Sequence, residues 1–504
     1  MLLFLIALLS VPLIFFYLAH KQRTATATSK TPPGPPGLPL IGNLHQLPSS
    51  DLHLHLWRLS NHYGPLMHLR LASSPTIVVS SAKMADLFFK TRDRQVAGRP
   101  SFFGQKKYTY DCSDLVFSPY GEYWRELRKL CVVHLFNTKR VQSFRAIRED
   151  EVLRMMNKIS ELASVNQVTN LSEAVMHLTS SIICRAAFGK RYEEEEKGNK
   201  RSRFHGMLHE EQEMISAFYL TDHVPLIGYW VDKLRGLLSR LEKNFTELDD
   251  FFQQIIDDHI HSKERKSDQE EDFIDVCLGL MKDKDTSSSF DLSCTRIKAL
   301  LTDIFIAGTD TGAATLVWAM TALMKNPRVM NKVKEEIRSS NPGKSFIDEN
   351  DLQKLHYLEV VLKETLRVYP PAPLMVPREA TEKCEIGGYE IEDKSVIFFN
   401  VWAIGRDPEA WDQPEEFKPE RFEGGYADFS KGQEFGWIPF GGGRRICPGI
   451  QMGVVTVELA LANLLNSFDW ELPKGMKMED LDTDVLPGIT MHKKNALCLV
   501  PKKL

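Results

Sequence analysis

One cysteine lies in a glycine-rich, cationic loop that suits a metal-binding thiolate. Residues 439–449 read PFGGGRRICPG, in which Cys447 precedes a proline. Glycines allow a backbone to take positive φ or to pass close to a ligand, and Arg444 and Arg445 favour the ionised thiol. The apolar run over residues 452–465 predicts a helix, whose N-terminus also stabilises a thiolate. Cys447 is therefore a candidate metal ligand, and the alternative is a buried cysteine on a glycine-rich turn.

A second polar cluster interrupts a long apolar segment. Residues 297–325 predict a helix, and its middle reads AGTDTG from Ala307 to Gly312. Each glycine in a helix interior costs about 1 kcal/mol relative to alanine, and burial of Asp310 and Thr311 adds a desolvation cost. Adjacent positions that break local rules indicate a functional site. The alternative is a close helix crossing at the glycines, with the hydroxyl groups satisfied by the backbone.

Three further motifs place charged side chains where they can pair. Trp124 and Arg128 are four residues apart on a predicted helix and therefore share a face. Glu364 and Arg367 are three residues apart on a second predicted helix, and Arg421 follows within a PERF sequence. Each motif by itself is also typical of a solvated surface pair.

Together these motifs resemble those of the cytochrome P450 family, in the family's order and spacing, over residues 30–500. The resemblance implies a predominantly α fold with a small β region (α+β), with haem b between the helix at 297–325 and the cysteine loop. Cys447 would be the axial thiolate ligand of the iron, which favours cleavage of the O–O bond. Thr311 and Asp310 would relay protons to oxygen, in the manner of a general acid.

The resemblance also implies roles for the other motif residues. Ala307 and Gly308 would leave space for O2. Glu364 would bridge Arg367 and Arg421, and so lock the segment that leads to the cysteine loop. The side chains expected to contact the haem, including arginines that can bond a propionate carboxylate through two N–H groups, are Phe440, Arg445, Trp124 and Arg128, with Arg378 as a further propionate partner.

The reaction that the resemblance implies is a monooxygenation. Electrons would come from a separate NADPH-cytochrome P450 reductase, because the chain contains no flavin or dinucleotide motif. O2 would be activated, and one oxygen atom would enter a small lipophilic substrate. The AGTDT, PERF and PFGGGRRICPG sequences are typical of plant microsomal members, which predicts a role in plant specialised metabolism. The candidate pocket residues are apolar, namely Ile306, Leu374, Val376 and Ile489.

Two other classes of function stay open. A haem-thiolate isomerase or dehydratase would use Cys447 without O2 or a reductase. A non-catalytic haem-binding membrane protein would need no proton relay. The Asp310–Thr311 pair counts against both classes, and the uninterrupted cysteine loop counts against the first. Consumption of NADPH and O2 with an added reductase distinguishes the three.

The start of the chain is typical of a membrane anchor. Residues 2–19 are almost wholly apolar and would form a helix about 27 Å long, close to the ~30 Å hydrocarbon core of a bilayer. Basic residues follow at once, which places the downstream chain in the cytosol. We therefore expect an anchor in the endoplasmic reticulum membrane over residues 1–20, a basic and proline-rich linker over 21–37 and a catalytic domain over 38–504. A cleaved signal peptide is the alternative, because an Ala-Thr-Ala sequence follows.

Composition counts against several other classes. A net charge of −4 over 504 residues argues against a general nucleic-acid binder. The eight cysteines form no CxxC pair, so neither a zinc site nor a disulfide framework is indicated. Apolar periodicity predicts helices over residues 147–162, 171–188, 204–218 and 233–261, with an interruption at 221–229 and a loop over 102–120.

Overall fold

The core is built around a 32-residue helix, Cys294–Lys325. The computed structural model describes residues 30–48, 50–191, 200–262, 271–282, 292–424, 429 and 435–503. Buried residues cover most of the circumference of this helix, because it is apolar nearly all round rather than along one stripe. Ser293 caps its first turn by accepting a hydrogen bond from the backbone N–H of Arg296 (3.4 Å). The helix predicted from the apolar segment at 297–325 is confirmed, and it begins three residues earlier.

Helices make up most of the described chain. A π-helical turn, Cys131–Leu135, continues the fourth of them. In chain order the α-helices are α1 (Leu52–Tyr63), α2 (Ala82–Thr91), α3 (Phe103–Tyr108), α4 (Glu122–Leu130), α5 (Thr138–Ser143), α6 (Arg145–Ser164), α7 (Leu171–Phe188), α8 (Lys200–Ser216), α9 (Pro225–Leu234), α10 (Leu237–His261), α11 (Phe273–Lys282), α12 (Cys294–Lys325), α13 (Pro327–Ser340), α14 (Glu349–Leu352), α15 (His356–Val368), α16 (Val401–Ile404) and α17 (Ile450–Ser467).

The strands of the described chain form three small sheets. Four strands lie in the order β1-β2-β7-β4, in which β2 and β7 are parallel and the other pairs are antiparallel. The other two sheets have the orders β3-β9-β8 and β5-β6. In chain order the strands are β1 (Leu66–Leu71), β2 (Ser74–Val79), β3 (Thr169–Asn170), β4 (Arg378–Glu379), β5 (Cys384–Ile386), β6 (Tyr389–Ile391), β7 (Val396–Phe399), β8 (Phe468–Glu471) and β9 (Cys498–Lys503).

This architecture confirms the expected α+β fold, and α6 and α7 confirm the helices predicted at 147–162 and 171–188. Two helices, α12 and α17, are long and apolar enough to cross a membrane by length and composition alone. More than half of the most apolar window of each is buried inside the protein, so both are core helices. The anchor predicted at 1–20 lies outside the described residues.

Two predictions about the segments over the core are wrong. The predicted interruption at 221–229 contains the start of α9, and α10 begins at Leu237 rather than at 233. Pro225 is compatible with α9 because it occupies the first turn, where its missing N–H is not needed. Gly236, with φ of +73°, separates the two helices. The predicted loop at 102–120 contains α3, whose Phe103 N–H donates to the carboxylate of Asp222 (2.8 Å). Hydrophobic periodicity cannot predict this contact, because the two residues are far apart in the sequence.

A buried ion pair joins α15 to the segment that leads to the cysteine loop. Arg367 donates through Nε and Nη2 to the carboxylate of Glu364 (2.7 and 2.8 Å), and both side chains are fully buried. Arg421 lies 3.1 Å from the same carboxylate. Arg367 also donates to the backbone carbonyls of Gly405 (2.6 Å) and Pro414 (2.7 Å). The geometry confirms the predicted bridge and satisfies its buried charges.

Replacement of Arg367 with alanine should destabilise the protein by about 3–5 kcal/mol, because it leaves the Glu364 carboxylate buried without its main partner. The matched control is Arg328→Ala, which removes an arginine from an exposed pair with Glu420 (2.8 Å) and should cost less than about 1 kcal/mol. Urea unfolding of the two variants in detergent measures the difference. Equal midpoints for the two variants would show that the buried pair does not hold the fold.

Candidate active site

The cysteine loop holds its thiol through backbone contacts at the start of α17. The helix begins at Ile450, and the Gly449 N–H donates a hydrogen bond to the Cys447 sulphur. The Cys447 N–H donates to the carbonyl of Phe440 (3.0 Å), which closes the loop on itself. Arg128 of α4 donates to the carbonyl of Ile446 (2.6 Å). The thiol therefore has a fixed position, next to a helix N-terminus as predicted.

The cations beside the thiol are not the ones that the sequence suggested. Arg444 pairs with Asp93 (2.9 Å), and Arg445 donates away from the thiol, to the carbonyls of Ala97 (2.9 Å) and Ser118 (2.6 Å). Burial raises the pKa of the Cys447 thiol, while the Gly449 N–H and the charge of Arg128 lower it less. The interpretation that Arg444 and Arg445 stabilise the thiolate is therefore wrong. The positive charge of a bound metal ion would favour the thiolate.

The carboxylate of Asp93 also binds the cysteine loop. Its carboxylate accepts hydrogen bonds from the Arg444 N–H (3.0 Å) and from Arg378 Nη1 (3.0 Å). Gly443 takes φ of +62°, and a Cβ there would lie 2.1 Å from Asp93 Oδ1. A side chain at position 443 is therefore excluded both by the backbone conformation and by the close approach of the carboxylate.

Four arginines and a tryptophan form a cationic cluster beside the loop. The guanidinium carbon of Arg445 lies 4.2 Å from the centre of the Trp124 ring, and that of Arg128 lies 5.5 Å from it. Arg378 and Arg99 are buried nearby, and Arg378 donates to the carbonyl of Gly442 (2.6 Å). Burial, and next the charge of Arg378, lower the pKa of Arg445 to about 9. The positive charge of this cluster would suit carboxylates as ligands.

Acidic residues that sequence reasoning missed connect this cluster to α12. Asp303 of α12 accepts the N–H of Leu115 (2.7 Å), and the Leu115 carbonyl accepts the indole N–H of Trp124 (3.0 Å). The indole N–H of Trp124 is thus engaged with the backbone, and its predicted contact with the haem stays a prediction. An acid within an apolar helix was the signal for Asp303. Arg99, Asp93 and Leu115 lie in no motif that would have identified them.

One face of α12 is open where most of the helix is buried. Ala307 is exposed in the middle of the helix, between the buried residues Phe305 and Thr309. Thr311 is half-buried, and its hydroxyl donates to the Ala307 carbonyl (2.7 Å). Asp310 is 3% exposed. Its carboxylate lies 3.1 Å from His492 Nε2, a contact that the sequence did not suggest. The structure therefore brings the predicted small residue, hydroxyl and acid to one turn.

Gly308 has a different position from the one expected. A Cβ at Gly308 would lie 2.6 Å from Ile183 Cδ1 of α7, and a Cβ at Gly312 would lie 3.2 Å from Thr179 of the same helix. The space that these glycines leave is filled by α7, so both serve a close helix crossing. A side chain at Gly308 would therefore point toward α7, while its predicted role in leaving room for O2 stays a prediction; the exposed position on this turn is Ala307.

Three of the four predicted pocket residues, Ile306, Val376 and Ile489, are partly buried against the main core. Leu374 instead packs with the cluster between α1 and β1, which includes Leu56.

These residues fit an iron porphyrin. Cys447 offers a thiolate ligand, the cationic cluster suits the two carboxylates of a porphyrin, and Ala307 leaves α12 open.

The comparisons with known proteins agree. A family model described as Cytochrome P450 matches residues 32–500. The 6,7,8-trihydroxycoumarin synthase of Pastinaca sativa is 46% identical, over 99% of this chain and 98% of that protein. The strychnine-11-hydroxylase of Strychnos nux-vomica is 45% identical, over 96% of this chain and 94% of that protein.

The solved structures agree on the fold. A zebra fish cytochrome P450 determined with abiraterone has a TM-score of 0.73 and 22% identity, over 90% of this chain and 99% of that one. The fold and the cysteine loop thus define a haem-thiolate protein. The chain belongs to the cytochrome P450 family. It is a plant-type cytochrome P450 monooxygenase.

Proposed function

We propose that this monooxygenase binds haem b through Cys447 and hydroxylates a small lipophilic substrate in plant specialised metabolism, with O2 and electrons from NADPH-cytochrome P450 reductase. The observation that carries the proposal is the acid and hydroxyl of Asp310 and Thr311, one turn from the open Ala307 position on a buried helix. The haem, when bound, supplies the activation of O2 and the insertion of one oxygen atom. The chain's own residues bind it, orient it and control proton supply.

Cys447 is the proposed axial ligand. The reduced, CO-bound protein should show the red-shifted Soret band of a thiolate-ligated haem. Cys447→Ser should lose that band per mole of haem, whereas Cys498→Ser, which changes a half-buried cysteine on β9, should keep it. Cys447→His offers a nitrogen ligand and should retain haem with a shorter-wavelength band. A thiolate band in the Ser or His variant would contradict the assignment.

The proton supply depends on two groups on α12. The Thr311 hydroxyl donates to the Ala307 carbonyl, and rotation about χ1 would free it from this bond. Asp310 is buried, and its Oδ1 has no hydrogen-bond partner among the described residues. A carboxyl with a free oxygen beside a hydroxyl can pass a proton onward and receive another. His492 Nε2 lies 3.1 Å from the other oxygen but makes no hydrogen bond within the described residues.

Thr311→Ala should leave haem, CO and substrate binding intact but divert reducing equivalents to hydrogen peroxide, because the proton donor is missing. The matched control is Thr315→Ala, which removes a buried hydroxyl one turn further along α12 that donates to the Thr311 carbonyl (2.7 Å). The measurement is product formed per NADPH oxidised, with reductase and a substrate found by binding-spectrum screening. We expect a fall of about tenfold for Thr311→Ala only; an equal ratio in both variants would show that Thr311 supplies no proton.

The relatives suggest the chemical class of the substrate. One relative is named for a trihydroxycoumarin and another for the hydroxylation of strychnine, so both act on compact polycyclic compounds. The apolar pocket residues agree with a lipophilic ring system. We propose that this enzyme hydroxylates a molecule of similar size.

We propose that the protein is tethered to the endoplasmic reticulum with its body in the cytosol. Besides the apolar segment at 2–19, two groups of exposed apolar side chains lie at one end of the body. The turn between β1 and β2 joins them, because Ala72 donates to the carbonyl of Ile41 (3.1 Å) and Ser73 to that of His223 (3.3 Å). A patch of this kind suits a lipid surface. Its members are Leu38, Leu40 and Ile41 in the first group, and Ile227, Trp230 and Leu234 in the second.

Protease added to sealed microsomes should digest the body, while a lumenal marker stays intact. The chain provides an internal reporter, because Asn170 lies in a glycosylation sequon and is exposed at the N-cap of α7. The second sequon, at Asn244, is not a reporter, since that side chain is buried and bonded to Tyr108 (2.6 Å). A glycan on Asn170 would place the body in the lumen and contradict the proposal.

A further inference from the structure

Two buried carboxyl groups bind one backbone segment between α3 and α4, the 115–118 segment. Asp114 has no exposed surface, and its Oδ2 accepts the N–H groups of Val116 (3.0 Å) and Phe117 (2.7 Å). Asp303 of α12 is 8% exposed, and its Oδ2 accepts those of Leu115 (2.7 Å) and Val116 (3.2 Å). Because the Val116 nitrogen lies within hydrogen-bond distance of both carboxyls, the two acids are neighbours in space.

Two carboxyls this close cannot both be ionised without a cost. Burial raises the pKa of Asp303 well above its ordinary range, and the charge of Asp114 raises it further. Oδ1 of Asp114 is buried and has no hydrogen-bond partner within the described part of the chain. A protonated Asp303 has a hydroxyl that donates to Asp114. The geometry therefore favours one proton on the pair, held by Asp303.

The carbonyl groups of the same segment bind the side chains that surround the cysteine loop. The pairs are the Leu115 carbonyl with the indole N–H of Trp124 (3.0 Å), the Val116 carbonyl with Nε of Arg99 (2.8 Å) and the Ser118 carbonyl with Nη2 of Arg445 (2.6 Å). The N–H groups of the segment thus bind acids, and its carbonyls bind members of the cationic cluster. A displacement of the two acids would be passed on to the arginines.

We propose that Asp114 and Asp303 share one proton and, as positioning residues, hold the 115–118 segment and with it the arginines that bind the haem carboxylates. This inference rests on the proposed function, because it takes the cationic cluster to be the site of those carboxylates. When the shared proton is lost to solvent, two negative charges repel each other and the segment loosens. Haem is then released faster.

The direction of the pH dependence follows from the shift of Asp303. A carboxyl whose pKa is raised by folding keeps its proton at a pH where the unfolded chain has lost it. The stability that the pair contributes is therefore present at low pH and declines as pH rises through the titration of Asp303.

The other ionisable groups around the pair do not reverse this direction. They are Arg99 and Arg445 of the cluster, which bind carbonyls, and Cys112, Tyr123 and Cys131. Burial raises the pKa of the last three above their ordinary values, so they stay uncharged near neutral pH.

The experiment measures haem release from the full-length, haem-loaded protein to an excess of apomyoglobin, which requires no turnover. Asp303→Asn keeps the size of the side chain and an amide that donates to Asp114, so it imitates the protonated acid at every pH. Asp114→Asn removes the repulsion from the other side and is a second variant. The matched control is Asp222→Asn, because burial raises the pKa of that acid to about 6 and it also accepts a backbone N–H, that of Phe103 (2.8 Å).

Rates are compared with Asp303→Asn at the same pH, which cancels the effect of pH on the iron ligand. From mildly acidic to mildly alkaline pH, relative release from the unaltered protein should accelerate about tenfold, as expected for charges that interact by one pKa unit. Asp114→Asn should show no such acceleration, and Asp222→Asn should keep it. A constant ratio between the unaltered protein and Asp303→Asn overturns the proposal, and so does loss of the acceleration in Asp222→Asn, which would indicate general loosening of the lid.

Two spectra complete the design. The infrared carbonyl band of a protonated buried carboxyl should disappear from the unaltered protein as pH rises, in step with haem release, and the difference spectrum against Asp303→Asn should contain it; its absence from that difference overturns the proposal even if a variant folds poorly. The reduced CO spectrum tests the proposed function separately. Absence of the thiolate band from the unaltered protein would reject the haem-thiolate function, whereas its presence with haem release independent of Asp303 rejects only the acid pair.

Discussion

The burial of several positive charges beside one thiol is the constraint on which the active site depends. A buried guanidinium must have its N–H groups bonded, because each unmade bond costs free energy. Arg99 donates to the carbonyls of Val116, Val376 and Pro377, and Arg445 to those of Ala97 and Ser118. The hydrogen bonds of these two guanidinium groups therefore join backbone segments that lie far apart in the chain.

In the same arrangement, the four arginines have fewer paired carboxylates than positive charges. Arg378 and Arg444 share one carboxylate, that of Asp93, while Arg99 and Arg445 are bonded to neutral carbonyls. Burial raises the pKa of both Asp303 and Asp114 next to this cluster. Two ligand carboxylates would complete the charge balance. The loops around Cys447 are thus ordered by buried cations that the carboxylates of a haem would suit.

The sequence predicted most of this architecture but few of its contacts. Apolar periodicity located α12, α6 and α7, because local hydrophobic pattern dictates which segments must be buried. The Glu364 bridge was found because its three members lie in motifs. Periodicity missed α3, which depends on a long-range bond to Asp222, and it could not show which way a loop arginine points. Neighbours in sequence, such as Arg445 and Cys447, need not interact in space.

The two faces of α12 divide its tasks. The glycines face α7 and let the helices approach closely. Ala307, Asp310 and Thr311 lie on the turn where the helix opens, and there the rules of burial are broken.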